Sequence, residues 1–89
     1  MKPTTKSTEG TSYQGISIVC TLDSLIEVVG EPIVTEDGNV IWDCETEDGD
    51  VFTIYNLDEE DLEQEMIFRI GSFKKSVAIQ AKEEIESLF

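Results

Sequence analysis

The stretch from 39 to 56 constrains the fold most, because it predicts a β-hairpin whose register follows from burial. Its flanks, NVIWDCETE and DVFTIYN, meet at Asp48-Gly49. A two-residue loop would place acidic side chains beside the core, whereas a three-residue loop, Glu47-Asp48-Gly49, opposes Trp42 to Ile54. We predict the three-residue loop, because register follows burial. Gly49 then takes the left-handed position of a type I turn with a bulge.

That register divides the hairpin into two faces. The face predicted to be buried carries Val40, Trp42, Cys44, Phe52 and Ile54. The opposite face carries Asp43, Glu45, Val51, Thr53 and Tyr55. Another tight turn is expected at Gly38, just before the hairpin.

The period of the apolar residues predicts the other elements. Alternation indicates strands over 13–20 and 66–70. Spacing at i, i+3, i+4 and i+7 predicts a short helix over 22–29, capped by Thr21 or Ser24 and ended by Gly30 and Pro32. The acidic stretch 57–65 is expected to be a loop or a frayed helical turn.

The last predicted element is a helix from about Phe73 to Leu88. Gly71-Ser72 forms its junction with the preceding strand, and Ser72 is a suitable N-cap. Its apolar stripe is expected to be Phe73, Val77, Ala81, Ile85 and Leu88.

The predicted order is β, α, β, β, β, α. This order favours the α+β class, with a small antiparallel sheet of three to four strands and both helices packed on one face. Residues 1–12 are polar and are expected to form a disordered tail. Residues 13–89 are then a single α+β domain.

Acidic charge dominates the middle of the chain. The net charge is −14, and 17 of the 20 acids lie between Lys6 and Arg69, where no Lys or Arg occurs. Such a surface repels nucleic acid and anionic membranes and attracts basic protein surfaces. We therefore expect a protein partner, no direct nucleic-acid binding and no membrane binding. Simple solubility is the alternative explanation. With no long apolar run and no signal-peptide core, the expected compartment is cytoplasmic.

The sequence offers little for catalysis or cofactor binding. Histidine is absent and Cys20 and Cys44 form no CxxC pair, so we expect no enzyme, no metal site, no cofactor and two reduced thiols. An EF-hand loop fails in both acidic turns. Such a loop needs an oxygen ligand at its first position and Gly at its sixth. If Gly49 is the sixth residue, the first is Cys44; if Gly38 is the sixth, the first is Ile33.

Two charged clusters are candidate sites. One is an acidic, nucleic-acid-mimicking surface for a basic partner, for which plain solvation is the alternative. Its residues are Asp43, Glu45, Glu47, Asp48, Asp50, Asp58, Glu59, Glu60, Asp61, Glu63 and Glu65. The other is an anion or nucleotide site at Arg69, Ser72, Lys74 and Lys75, where helix N–H groups and cations meet. Pairing of these lysines with nearby acids, or a partner contact, would also explain them.

Four short motifs occur in a recognisable order. They are GEP at 30–32, Trp42 ahead of Asp48-Gly49, FTIYN at 52–56 and FRIGS at 68–72 before the last helix. Over residues 14 to 80 this pattern resembles small proteins of tailed bacteriophages, in which an aromatic-x-IGG motif precedes the terminal helix. Here FRIGS lacks the Trp and the second Gly. The resemblance implies a phage accessory protein and no particular activity.

These observations lead to three functional hypotheses. The first is a non-enzymatic phage protein that inhibits a host factor, such as an anti-phage defence system, from the host cytoplasm through its acidic surface. The second is a sponge that sequesters a nucleotide or another anionic signal at the basic corner. The third is a virion or structural interaction module. A homodimer is also reasonable, because short domains often gain stability by association.

Overall fold

The computed structural model describes residues 1–56 and 66–89. Its elements are β1 (Lys2–Pro3), β2 (Ser12–Cys20), α1 (Leu22–Val29), β3 (Ile33–Val34), β4 (Val40–Glu45), β5 (Val51–Tyr55), β6 (Met66–Ser72) and α2 (Lys75–Glu86). The strands form one antiparallel sheet in the order β1-β4-β5-β6-β2, and β3 also pairs with β4. The predicted α+β class is confirmed. The described sheet has six strands rather than three or four, because the two-residue strands β1 and β3 add to the outer side of β4.

The hairpin of β4 and β5 has the predicted register. Trp42 opposes Ile54. The amide of Thr46 donates to the carbonyl of Asp50 at 2.9 Å, which closes the three-residue loop. Gly49 has a φ of 86°, the left-handed position that the turn requires. All five residues of the predicted core face are buried.

The same turn occurs a second time, between β3 and β4. Residues 35–39 read TEDGN and residues 46–50 read TEDGD. In both turns the first Thr accepts a bond from the amide four residues later, at 3.1 Å for Asn39 and 3.2 Å for Asp50. Gly38, at a φ of 84°, is the counterpart of Gly49 and confirms the tight turn predicted there. The two acidic turns therefore lie at opposite ends of β4.

The core lies between the sheet and the two helices. α1 has the predicted bounds, and its N-cap is Thr21, whose hydroxyl accepts from the amide of Ser24 at 3.1 Å. Leu25 from α1 and Ile85 from α2 are fully buried against the sheet. Neither helix among the described residues is long and apolar enough to cross a membrane.

The start of α2 differs from the prediction. β6 extends through Ser72, because that residue pairs with both β2 and β5, and α2 begins only at Lys75. Lys74 is the N-cap residue and makes no side-chain capping bond. Of the predicted apolar stripe, Phe73 and Leu88 lie outside the helix and are exposed.

The N-terminal residues belong to the sheet, contrary to the predicted disordered tail. β1 pairs with the outer side of β4, whereas β2 forms the opposite edge, so residues 4–11 must cross the sheet. The hydroxyl of Thr8 donates to Asp43 at 3.2 Å, which places the crossing on the face away from the helices. We call residues 1–11 the N-terminal strap. Its polar composition misled the prediction, because polar contacts to β4 hold it in place.

Candidate functional site

Among the described residues of the predicted acidic surface, the exposed ones lie in the turn between β4 and β5. Glu47, Asp48 and Asp50 are all exposed there. The amide of Gly49 donates to the carbonyl of Thr46 at 2.9 Å, and Thr46 itself is buried. The turn therefore presents three carboxylates on a backbone that is fixed by its own hydrogen bonds. We call residues 46–50 the acidic turn.

Side chains of α2 support the acidic turn from one side. Gln80 donates to Asp48 at 3.2 Å and to Glu84 at 2.8 Å. Glu84 accepts the amide of Glu47 at 3.2 Å and forms an ion pair with the amine of Met1 at 3.0 Å. The turn, the helix and the strap thus meet at one small polar network.

Glu84 remains ionised within this network. Burial by itself would raise its pKa. The amine of Met1, the amide of Gln80 and the backbone N–H of Glu47 together outweigh that effect and lower the pKa below 4.5. The carboxylate is committed to internal contacts and is not offered to a partner.

Two predicted members of the acidic surface are internal, which corrects the prediction. Glu45 is 7% exposed and forms ion pairs with Lys6 at 3.0 Å and Lys2 at 3.3 Å. Asp43 is half-buried and accepts from the hydroxyl of Thr8. The strap covers both, so neither presents its carboxylate freely to a partner.

The strap also accounts for the charge state of Glu45. The hydrogen bond from Lys6 lowers its pKa most. Partial burial opposes this, and bonds from Thr4 and Lys2 add to the lowering. Glu45 is therefore held as a carboxylate by positive charge from the strap.

A cavity of about 400 Å³ lies where the strap meets the acidic turn. Its lining includes Met1, Lys2 and residues 45–49. Positive and negative groups both border it, because the strap contributes an amine and a lysine beside the carboxylates. The strap also reaches the turn itself, because Nζ of Lys6 donates to the carbonyl oxygen of Gly49 at 3.2 Å.

The predicted basic corner does not converge. Arg69 lies on the sheet face away from the helices, where its guanidinium stacks on Tyr13 at 4.6 Å. Ser72 alternates to the other face, is fully buried, and donates its hydroxyl to the carbonyl of Lys74 at 2.6 Å. Arg69 and Ser72 cannot contact one anion together.

Lys74 and Lys75 remain exposed at the start of α2. No described carboxylate forms an ion pair with either lysine. Lys74 borders a cavity of about 310 Å³ with Phe73, Ser76 and Asp50 among its lining residues. Of the four residues predicted for an anion site, only these two lysines face solvent together.

The remaining predicted acids, Asp58, Glu59, Glu60, Asp61, Glu63 and Glu65, lie outside the described residues. Within residues 1–56 and 66–89, no group of three or more Asp, Glu or Cys side chains converges to hold a metal ion. Cys20 and Cys44 are buried and not joined in a disulfide. Burial, followed by the charge of Asp43, raises the pKa of Cys44 to about 12.

Sequence reasoning missed two supports of the acidic turn, Gln80 and Glu84. They lie 32 to 37 residues from their partners in the turn, and nothing in the local spacing signals the contact. The strap lysines did carry a signal, because Lys2 and Lys6 precede the long stretch without cations and were the available counterions for it. Comparison of the chain with protein-family models, curated proteins and solved structures gave no match.

Proposed function

We propose that this protein is a non-enzymatic phage accessory protein that inhibits a host factor of an anti-phage defence system by binding a basic surface on it. The acidic turn is the part of the described structure that would make the contact. Of the described residues in the predicted acidic surface, Glu47, Asp48 and Asp50 are the ones that are exposed. The acids of 58–65 belong to the same proposal, as a sequence-based expectation.

One observation carries this proposal: no described cation forms an ion pair with the exposed carboxylates of the acidic turn, where Lys6 bonds only to the backbone carbonyl of Gly49. The three described ion pairs use the amine of Met1, Lys2 and Lys6, and all three end on Glu45 or Glu84. Glu47, Asp48 and Asp50 form none with any described cation. Carboxylates that form no ion pair within the described protein gain most from a partner that supplies Arg or Lys.

The fixed backbone also favours binding. The turn is closed by hydrogen bonds from Thr46 and Gly49 and supported by Gln80. A partner would therefore not have to order this loop, and the entropic cost of association is reduced. Phosphate mimicry needs this property, because the spacing of the negative charges must persist before the partner arrives.

The repeated turn provides a charge-matched test. One variant carries Glu47→Gln and Asp48→Ser; its control carries Glu36→Gln and Asp37→Ser, in a turn that shares the TEDG sequence and the same hydrogen-bonded geometry. We expect the first to weaken binding to a captured host protein by about tenfold or more. The control should bind like the wild type. Binding is measured by capture from infected host cells, then by titration of the purified partner at several salt concentrations.

The salt dependence separates specific contact from general charge. Affinity for a basic partner should fall steeply between low and physiological salt, because screening weakens exposed charge pairs. If both turn variants bind equally well, or if affinity does not respond to salt, the acidic turn is only a solvated surface. If binding persists but no host defence is inhibited, the inhibitory half of the proposal is wrong and only the binding half remains.

A second candidate is the nucleotide or anion sponge, now restricted to Lys74 and Lys75. The first turn of α2 contains no acidic residue, and its N-cap residue Lys74 makes no side-chain capping bond, which favours an anion at this end of the helix. Calorimetry with a panel of cyclic nucleotides tests it, with Lys74→Gln and Lys75→Gln as the variant. No heat from any nucleotide would eliminate this candidate. The virion module is tested by mass spectrometry of purified particles.

A further inference from the structure

The part of the strap from Lys2 to Thr8 is held to the sheet by polar contacts near the surface. Every residue of this range is exposed or half-buried. The side chains of Lys2 and Lys6 remain 72% and 57% exposed while they pair with Glu45. Because ion pairs made by exposed lysines contribute little to stability, this range is held more weakly than the buried strands.

The backbone of the strap is paired over a short length. β1 adds two residues to the outer side of β4, and the amide of Thr4 donates to the carbonyl of Asp43 at 3.1 Å. A cavity of about 190 Å³ borders this part of the strap, with Pro3, Thr4 and Trp42 among its lining residues. The strap therefore leaves space beside β4 unfilled, so its release disturbs little packing.

The strap covers two carboxylates that continue the acidic turn along β4. Glu45 directly precedes the turn, and Asp43 lies on the same face of the strand. Thr53, which opposes Asp43 on β5, is also buried on that face, at 6% exposure. Opening the strap would therefore expose polar side chains at this point, with little hydrophobic cost. Asp43 and Glu45 would then join the three exposed carboxylates of the acidic turn in one surface.

The strap already binds these groups with the chemistry of a basic partner. Nζ of Lys6 lies 3.0 Å from a carboxylate oxygen of Glu45 and 3.2 Å from the carbonyl oxygen of Gly49. A lysine supplied by a partner would exchange one ammonium–carboxylate pair for another, so the two states differ little in electrostatic energy. The cavity of about 400 Å³ gives access for this exchange, because Glu45 and Lys2 are both in its lining.

From these contacts we propose that the strap is an autoinhibitory cover, and that a lysine-rich segment of the partner displaces residues 2–8 from Asp43 and Glu45. This inference rests on the proposed function, because it concerns how the same partner gains a larger acidic surface. Met1 stays in place, since its amine pairs with Glu84 on α2 at 3.0 Å. Residues 2–8 therefore open as a loop that remains attached at Met1 and at β2.

Binding of an oligolysine peptide with blocked ends to the full chain tests this inference. Lys6→Gln removes the closest ion pair between the strap and Glu45. Lys82→Gln is the control, because Lys82 lies on α2, forms no described ion pair and loses the same charge. Lys6→Gln should bind the peptide about threefold more tightly than the control, measured by calorimetry at low salt. Equal affinities would show that only net charge matters and would overturn the inference.

A second pair of variants assigns the gain to Glu45. Adding Glu45→Gln to Lys6→Gln should abolish the gain, because the carboxylate that the peptide reaches is then absent. Adding Glu83→Gln to Lys82→Gln gives a comparison of the same net charge, and the two double variants should bind equally. A difference that persists without Glu45 would contradict displacement from this residue. Far-UV circular dichroism verifies that all four variants are folded.

Amide hydrogen exchange in the wild type reports the displacement without any substitution. The amide of Thr4 should exchange faster when the peptide saturates the protein, because its bond to Asp43 opens with the strap. The amide of Thr46 donates to the carbonyl of Asp50 and should stay protected, because the acidic turn remains closed. Unchanged exchange at Thr4 would show that the peptide binds without moving the strap. Faster exchange at both amides would indicate general unfolding; either result refutes the proposed displacement.

These outcomes are distinct from those that test the proposed function. If exchange at Thr4 does not change, the strap is a fixed part of the sheet, and the test of host-protein binding at Glu47 and Asp48 is unaffected. If the strap opens to oligolysine while no host protein is captured, the proposed function fails alone.

Discussion

The indole nitrogen of Trp42 donates a hydrogen bond to the carbonyl oxygen of Gly30 at 2.7 Å. Gly30 ends α1 with a φ of 108°, and the Trp42 ring packs edge to face on Phe68 with the ring centres 5.9 Å apart. One buried side chain thus fixes the end of the first helix to the middle of the sheet. It also joins two of the short motifs, GEP and the Trp of the hairpin, in a single contact.

Trp42→Phe should destabilise the fold. Phenylalanine keeps an aromatic ring but removes the donor and leaves a smaller side chain at a site that is 4% exposed. We expect a loss of about 1–3 kcal/mol in the free energy of unfolding, measured by urea denaturation with circular dichroism. Tyr13→Phe, which removes a hydroxyl at an exposed position, should cost less than about 0.5 kcal/mol. Equal losses would contradict the role of the indole bond.

The two TEDG turns allow a direct test of burial. Thr46→Ala and Thr35→Ala remove the same hydrogen bond from equivalent turns, but Thr46 is buried and Thr35 is exposed. We expect the free energy of unfolding to fall by about 1–2 kcal/mol for Thr46→Ala and by less than about 0.5 kcal/mol for Thr35→Ala. Thermal and urea unfolding of both variants measures the difference. A larger loss at Thr35 would show that the turn geometry, rather than burial, sets the cost.

Gly71 is expected to tolerate no side chain while Thr53 is present. A Cβ on Gly71 would approach the Thr53 hydroxyl to 2.7 Å. Gly71→Ala should therefore cost about 1–3 kcal/mol by overpacking. Adding Thr53→Ala should recover part of that loss, which a double-mutant cycle measures. Strictly additive losses would mean that the destabilisation by Gly71→Ala comes from the backbone at Gly71 and not from contact with Thr53.

Acid should weaken the strap. The pKa of Glu45 in the fold is below its usual value of 4.5, so the folded state holds the ionised form more strongly than the unfolded chain does. Its stabilising contribution is complete above that usual value and is lost as pH falls through the lower, folded-state pKa. Unfolding free energy measured from pH 7 to pH 3 should fall less steeply for Glu45→Gln than for the wild type.

Glu83→Gln provides the control for that measurement, because Glu83 is exposed and in no described ion pair. Its stability should follow the wild-type dependence on pH. Lys6→Gln should resemble Glu45→Gln, since the two residues share one ion pair. If Glu45→Gln retains the full wild-type slope, the strap is not held by this carboxylate.

Local patterns were sufficient to predict the hairpin and the first helix. The register at Trp42 and the bounds of α1 depend on residues close in sequence, where alternation and capping act directly. The strap was missed because its order comes from Glu45, about 40 residues away. The start of α2 was misplaced because pairing on both sides extends β6 to Ser72, a tertiary effect that overrides its propensity as a cap.

The candidate site was also predicted only where local sequence determines the structure. Glu47, Asp48 and Asp50 are exposed because a tight turn must project its side chains, which the sequence indicates. Asp43 and Glu45 were expected on an open face, yet that face is crossed by the strap. Whether a sheet face is covered depends on the path of the whole chain, which no local pattern records.

The position of β2 at the edge of the sheet has a consequence for synthesis on the ribosome. Ser12 pairs with Ser72 and Cys20 with Met66, so its partner strand is made 46 to 60 residues later. At about 5–20 residues per second, this early strand waits for several seconds before it can join the sheet. During that interval both of its sides are open, and neutral, aliphatic segments in that state are prone to capture by chaperones or by neighbouring nascent chains. When many ribosomes make this protein at once, the yield of folded chains should therefore depend on whether β2 avoids aggregation until β6 has been synthesised.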